Sequence, residues 1–130
     1  MRNIVEIPMR LPSLNEYIDA CKSQGRKNYY KKKHWNKGND MKQKVQKDIA
    51  PYLKKLGVFN NGIRVNFTWI EPNRMRDLDN ICFAKKFILD AMVNAGVIPD
   101  DNSRYVTGFI DSFGYDKKNP RVIVEVIENE

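Results

Sequence analysis

The chain is poor in the residues that carry thiol and imidazole chemistry. Its 130 residues include one histidine, His34, and two cysteines, Cys21 and Cys82, with no C-x-x-C pair. Zinc sites built from several Cys and His are therefore excluded, and nothing points to a disulfide scaffold. A Ser-His-Asp hydrolase would have to use His34, which lies in a lysine run, and no G-x-S-x-G accompanies it. G-x-G-x-x-G and G-x-x-x-x-G-K-S/T are also missing, so no nucleotide cofactor of the familiar kinds is expected. Apolar runs fall far short of the roughly 20 residues that span a bilayer, and Arg2 interrupts any signal-peptide core. The expectation is a chain without membrane contact, cytoplasmic by default.

What is abundant is positive charge. The chain carries 23 Lys and Arg against 16 Asp and Glu, a net charge of +7. The excess is concentrated: from Lys22 to Lys55 twelve Lys and Arg meet two Asp, a local charge of +10, and the remainder is −3. A concentrated positive patch attracts polyanions through counterion release. Within it, Arg26 to Trp35 interleaves cations, Lys31, Lys32 and Lys33 among them, with Tyr29, Tyr30 and Trp35. Cations for phosphates and rings for exposed bases suit a nucleic-acid strand. The plainer alternative is a solvated loop.

A chain of this size builds one core. Residues Asn3 to Pro8 read as a short strand. Ser13 with Glu16 three residues on is a capping-box pattern, opening a helix to about Cys21. Residues Gly25 to Gly38 read as a loop. From Asn39 to Leu56 apolar residues keep helical spacing up to Gly57, with Pro51 expected to kink or split the helix. Ile63, Val65, Phe67 and Trp69 alternate with polar residues, a half-buried strand ending near Pro72. One mostly buried helix is expected from Ile81 to Ala95, closed by Gly96. Strands over Tyr105–Phe113 and Arg121–Ile127, joined by a turn, complete the order. The expected fold is α+β: one two-layer domain over 1–130, with a mixed sheet of about four strands packed with helices.

Chemistry concentrates in Arg74-Met75-Arg76-Asp77-Leu78-Asp79-Asn80 and in Pro99-Asp100-Asp101. In an extended segment Asp77 and Asp79 would share a face, giving a hard-oxygen site of the kind Mg²⁺ prefers. Asp100 or Asp101 would add a third carboxylate if the chain folds back there. On one continuous helix, steps of about 100° place Lys86 about 20° from Asp79 and Lys85 about 120° away, with Asp90 on the same stripe as Lys86. Each feature alone has an ordinary reading: an N-cap, a turn, an i,i+4 ion pair. Their combination in a basic chain is what a metal-dependent nuclease requires.

These residues resemble a known family. Arg76-Asp77-Leu78-Asp79-Asn80, then Leu89-Asp90-Ala91-Met92 and Ala95-Gly96-Val97-Ile98-Pro99-Asp100-Asp101, look like the signature of RusA-type Holliday junction resolvases. The opening Leu11-Pro12-Ser13-Leu14-Asn15-Glu16-Tyr17 is similar as well, so the resemblance covers nearly the whole chain. It implies a crossover junction endodeoxyribonuclease of phage or prophage type: a homodimer that cleaves four-way DNA junctions with Mg²⁺, or Mn²⁺ in its place, in the host cytosol. It implies catalytic, metal-holding roles for Asp77, Asp79 and Asp101. The family's catalytic lysine falls closer to the Asp-Leu-Asp-Asn motif than any lysine here; Phe83 stands at its position. About three extra residues, nearly one helical turn, bring Lys86 into that role, with Lys85 as the alternative. Arg74 and Arg76, with Lys31, Lys32 and Lys33, are the expected DNA contacts. The alternative to an enzyme is a non-catalytic basic DNA-binding protein whose aspartates are only caps.

Overall fold

The computed structural model describes the backbone of residues 2–22, 24–28 and 33–130, and the side chains of 3–22 and 37–130. Six strands and four α-helices are described. They run β1 (Arg2–Ile7), α1 (Leu14–Lys22), β2 (Gln24–Asn28), β3 (Lys33–Asn36), α2 (Lys37–Leu53), β4 (Ile63–Glu71), α3 (Leu78–Cys82), α4 (Lys85–Asn94), β5 (Val106–Tyr115) and β6 (Arg121–Glu128), with a 3₁₀ turn at Lys54–Leu56.

Four strands form one mixed sheet in the order β1-β6-β4-β5. Strand β4 pairs antiparallel with β6 and parallel with β5, the parallel partner being reached through α3 and α4. The expected α+β class and four-stranded mixed sheet are thus observed. Alternation in β4 is borne out: Ile63, Val65, Phe67, Trp69 and Glu71 are buried, while the residues between them are less so. Register lines up the rows Val5–Val124–Phe67 and Ile7–Val122–Trp69 on the face that the helices cover. Val45, Ile49 and Leu53 of α2 and Phe87, Ile88 and Met92 of α4 are buried in the same core. No described helix is long and apolar enough to cross a membrane.

The Ser13 box forms as expected. The Glu16 amide donates to Ser13 Oγ at 3.2 Å, and Glu16 Oε1 accepts from the Ser13 amide at 3.3 Å. Gly96 also closes its helix as read: with φ of +77°, it lets Val97 N donate to Met92 O and its own amide donate to Val93 O. That 6→1 and 5→2 pair is a Schellman motif, for which glycine's freedom at positive φ is suited.

Three expectations are corrected. Gly25–Gly38 is not one loop: β2 and β3 pair antiparallel as a separate two-stranded ribbon, and α2 already begins at Lys37. Pro51 does not split α2; it lies inside its last turn, and the 3₁₀ turn follows at Lys54. Third, Ile81–Ala95 is two helices. Between α3 and α4 the amides of Ala84, Lys86 and Phe87 bond three residues back, to Ile81, Phe83 and Ala84. Tightening to 3₁₀ geometry breaks the 3.6-residue phase. Packing supplies the reason: Phe83 sits 5.4 Å from the Tyr17 ring and 5.7 Å from Phe87, anchoring the bend to α1.

Candidate active site

The β4–α3 connection brings the first two aspartates out of the sheet and onto a helix start. Asp77 is the N-cap of α3, with φ −68° and ψ 151°, but its side chain makes no cap hydrogen bond. Asp79 lies in the first helical turn, where its Oδ1 accepts from the neighbouring Asn80 amide at 3.0 Å. Both residues are exposed. The premise of an extended segment with shared faces therefore fails: Asp77 is extended but Asp79 is helical. The pair stands on one chain reversal rather than along one strand face.

The segment before them is fastened from below. Arg76 donates to Leu11 O at 3.0 Å, pairs with Glu16 and lies 3.6 Å from Glu71. Glu71 is buried at the end of β4 and its Oε1 also accepts from Arg10 Nε at 3.0 Å and Arg10 Nη2 at 2.8 Å. A buried carboxylate shared by two guanidinium groups ties β4, the β1–α1 loop and the Asp77 approach together. Arg76 is thus engaged in internal contacts. Arg74 is exposed, its guanidinium 4.5 Å from the Tyr115 ring centre. Of the expected lysine contacts, Lys31 and Lys32 lie outside the described residues, and Lys33 is described only as the first backbone position of β3.

The chain after α4 turns back along the helix, so that the third aspartate meets the lysine in its first turn. Lys86 Nζ lies 3.0 Å from Asp90 Oδ1 and 3.4 Å from Asp101 Oδ2. Asp90 Oδ2 lies 3.1 Å from Lys42 Nζ of α2, so this carboxylate bridges two lysines. The hydrogen bond to Asp90 holds the Lys86 ammonium above its ordinary pKa, against partial desolvation, with the Asp90 and Asp101 charges adding to the rise. Burial pushes Asp90 upward, but the Lys86 hydrogen bond and the nearby Lys86 and Lys42 charges outweigh it and keep the carboxyl below the ordinary value. Asp100 and Asp101 divide their duties. Asp100 accepts from the Asp101 amide at 2.8 Å and from Asn102 Nδ2 at 3.0 Å, closing the turn. Asp101 faces Lys86 instead.

Lys85 is held elsewhere. Its ammonium pairs with Asp111 Oδ2 at 2.5 Å and lies 4.0 Å from the Phe109 ring centre, both side chains of the pair being less than one-fifth exposed. Asp111 also accepts from Trp69 Nε1 at 2.9 Å. Register extends the row Val5–Val124–Phe67 to Asp111, which explains an acid on the helix-facing side of an edge strand. Sequence reasoning missed Asp111, Lys42 and Glu71. The alternation of β5 around Asp111 carried some signal for the first; the other two depend on long-range packing.

The break at Phe83–Ala84 removes the helical stripe expected to join Asp79 to Lys86, whereas Lys86 and Asp90, both on α4, remain partners at i,i+4. Among the described residues, no three Asp, Glu, His or Cys side chains stand close enough to hold a metal ion. The structure brings Asp101 to Lys86 and Asp90, and leaves Asp77 and Asp79 together at the start of α3. No family model matches this chain, and no curated protein matches it.

Proposed function

We propose that this protein is a Mg²⁺-dependent endonuclease of RusA type that hydrolyses phosphodiesters in branched DNA. The observation that carries the reading is the Lys86–Asp101 contact: the lysine and the third aspartate selected from the motif are 3.4 Å apart, while Asp100 is engaged in its turn and Lys85 in its pair with Asp111. The proposed donors suit a hard cation, since all three are carboxylates and Asp77 and Asp79 are exposed. Mg²⁺ held by Asp77, Asp79 and Asp101 would polarise the phosphate and activate the attacking water.

The chain's own residues have distinct tasks in this reading. Lys86 stabilises negative charge developing on the phosphate, and its hydrogen bond to Asp90 favours the ammonium form. Asp90, clamped by Lys42, aims the lysine at Asp101. Arg76, Glu71 and Glu16 fix the approach to Asp77, and Arg74 with the lysines of 31–33 meets flanking phosphates. One chain offers one such site, so paired incision calls for a homodimer, to be checked by light scattering.

The reading is tested by incubating a synthetic four-way junction with the protein, with and without Mg²⁺. Nicks that require the metal and vanish in Asp79→Asn are expected; no metal-dependent nick under any condition would refute it. A non-catalytic DNA-binding protein is the second reading. The internal pairing of Arg76 favours it by removing one proposed phosphate contact. It predicts salt-sensitive binding with no nicking.

A further inference from the structure

Helices α2 and α4 enclose a cleft of about 590 Å³ that begins at Asp101 and Asp90 and is walled by Lys42, Gln43, Gln46 and Asn94. That volume lies within the roughly 300–1,000 Å³ of pockets that take small organic groups. A second cavity of about 280 Å³ shares Gln43, Gln46 and Asn94 with it and continues to Lys47 and Lys54. The two form one groove in which the chemistry changes in order: acid and lysine, then carboxamides, then lysines.

We propose that this groove carries the DNA strand continuing from the cut phosphate, with an unpaired nucleobase on the Gln46–Asn94 pair and the next phosphates on Lys47 and Lys54. The position of the cut at Asp101 rests on the nuclease reading above; the strand path does not. Asn94 Nδ2 donates to Gln46 Oε1 at 2.7 Å across the helices. A carboxamide pair joined in this way keeps donor capacity at Gln46 Nε2 and acceptor capacity at Asn94 Oδ1. Donor and acceptor together match the edge of a nucleobase, which is how Asn and Gln read adenine. Val93 adds an apolar wall against which a ring can lie. Lys47 and Lys54 are two helical turns apart, about 10 Å, and exposed, as charges that track a backbone are.

The groove makes two separable claims. In Ca²⁺, binding of a four-way junction is titrated across salt for the wild type, Lys47→Ala, Lys54→Ala and, as a matched loss of charge in the β5–β6 turn, Lys118→Ala. The two groove variants should each lower the slope of log K against log salt by about 1, and Lys118→Ala should leave it unchanged. Unchanged slopes for both groove variants, or an equal drop for Lys118→Ala, overturn the strand path. In Mg²⁺, cuts are mapped on junctions that differ only in the nucleotides flanking the cut. The wild type should prefer one base by about tenfold, and Gln46→Ala and Asn94→Ala should flatten that preference. A wild type without preference, or variants that keep it, overturns base reading. If the wild type makes no cuts, the nuclease reading and the base reading fall together, while the slopes still decide the path. Melting curves identify any variant that fails to fold, for which Gln46→Glu and Asn94→Asp substitute.

Discussion

The two acidic stations that bracket α3 and α4 are built in opposite ways. Asp77 and Asp79 stand exposed at a helix start, where the Asp77 side chain makes no cap hydrogen bond and Asp79 accepts locally from the Asn80 amide. Asp101 and Asp90 share Lys86, in the first turn of α4, and Asp90 takes Lys42 as well. An open pair of carboxylates suits ligands that arrive from solution, whereas a compensated cluster holds a cationic side chain in a fixed place. One station offers exposed carboxylates to solution, and the other fixes the Lys86 ammonium between Asp90 and Asp101.

The sharpest way to break the comparison is at the open station. Asp79→Asn should lower Mg²⁺-dependent cleavage on the order of a thousandfold or more, since it removes several kcal/mol of transition-state stabilisation. Junction binding should be retained or tightened, because a negative charge is lost; gel shifts and single-turnover kinetics read both. At the paired station Lys86→Ala should cost about a hundredfold to a thousandfold in rate. Lys85→Ala should spare the rate and instead cost about 2 kcal/mol of folding stability in denaturant melts, because it strands the half-buried Asp111. Reversed results for the two lysines would exchange their roles.

Titration distinguishes the stations more gently. The folded-state pKa of Asp90 lies below its ordinary 3.8, so its contribution to stability is present above that value and is lost as pH falls through the lower folded value. For Lys86 the folded-state pKa lies above 10.5, so its contribution is present below 10.5 and is lost as pH rises through the higher value. Asp90→Asn should therefore flatten the acid limb of the stability profile and leave the neutral plateau level. The smallest effect concerns the scaffold of the open station. Ser13→Ala should lower stability by about 1 kcal/mol through loss of the cap. Since Glu16 binds both Ser13 and Arg76, cleavage should weaken slightly with it.

What was legible in the sequence was what period and local chemistry dictate. The alternation Ile63 to Trp69, the Ser13–Glu16 box and the Gly96 stop each depend on residues a few positions apart, and each is found in place. The Lys86–Asp90 pair follows from i,i+4 spacing, whereas the approach of Asp101 to Lys86 depends on the turn after α4 that returns the chain to that helix. The break between α3 and α4 was hidden because the run from Ile81 to Ala95 has no Pro or Gly, and only the Tyr17–Phe83–Phe87 cluster reveals what fixes it. That cluster also accounts for an aromatic residue at position 83, where the family resemblance calls for lysine. Glu71 with Arg10 and Arg76 spans more than 60 residues of sequence in one contact and leaves no local trace.

The most direct test of the nuclease account is to map both incisions on a mobile four-way junction, nucleotide by nucleotide, with and without Mg²⁺. The account predicts paired, metal-dependent nicks in opposing strands that Asp79→Asn and Lys86→Ala both suppress. Binding without nicks at any Mg²⁺ concentration, or nicks that persist in Asp79→Asn, would contradict it.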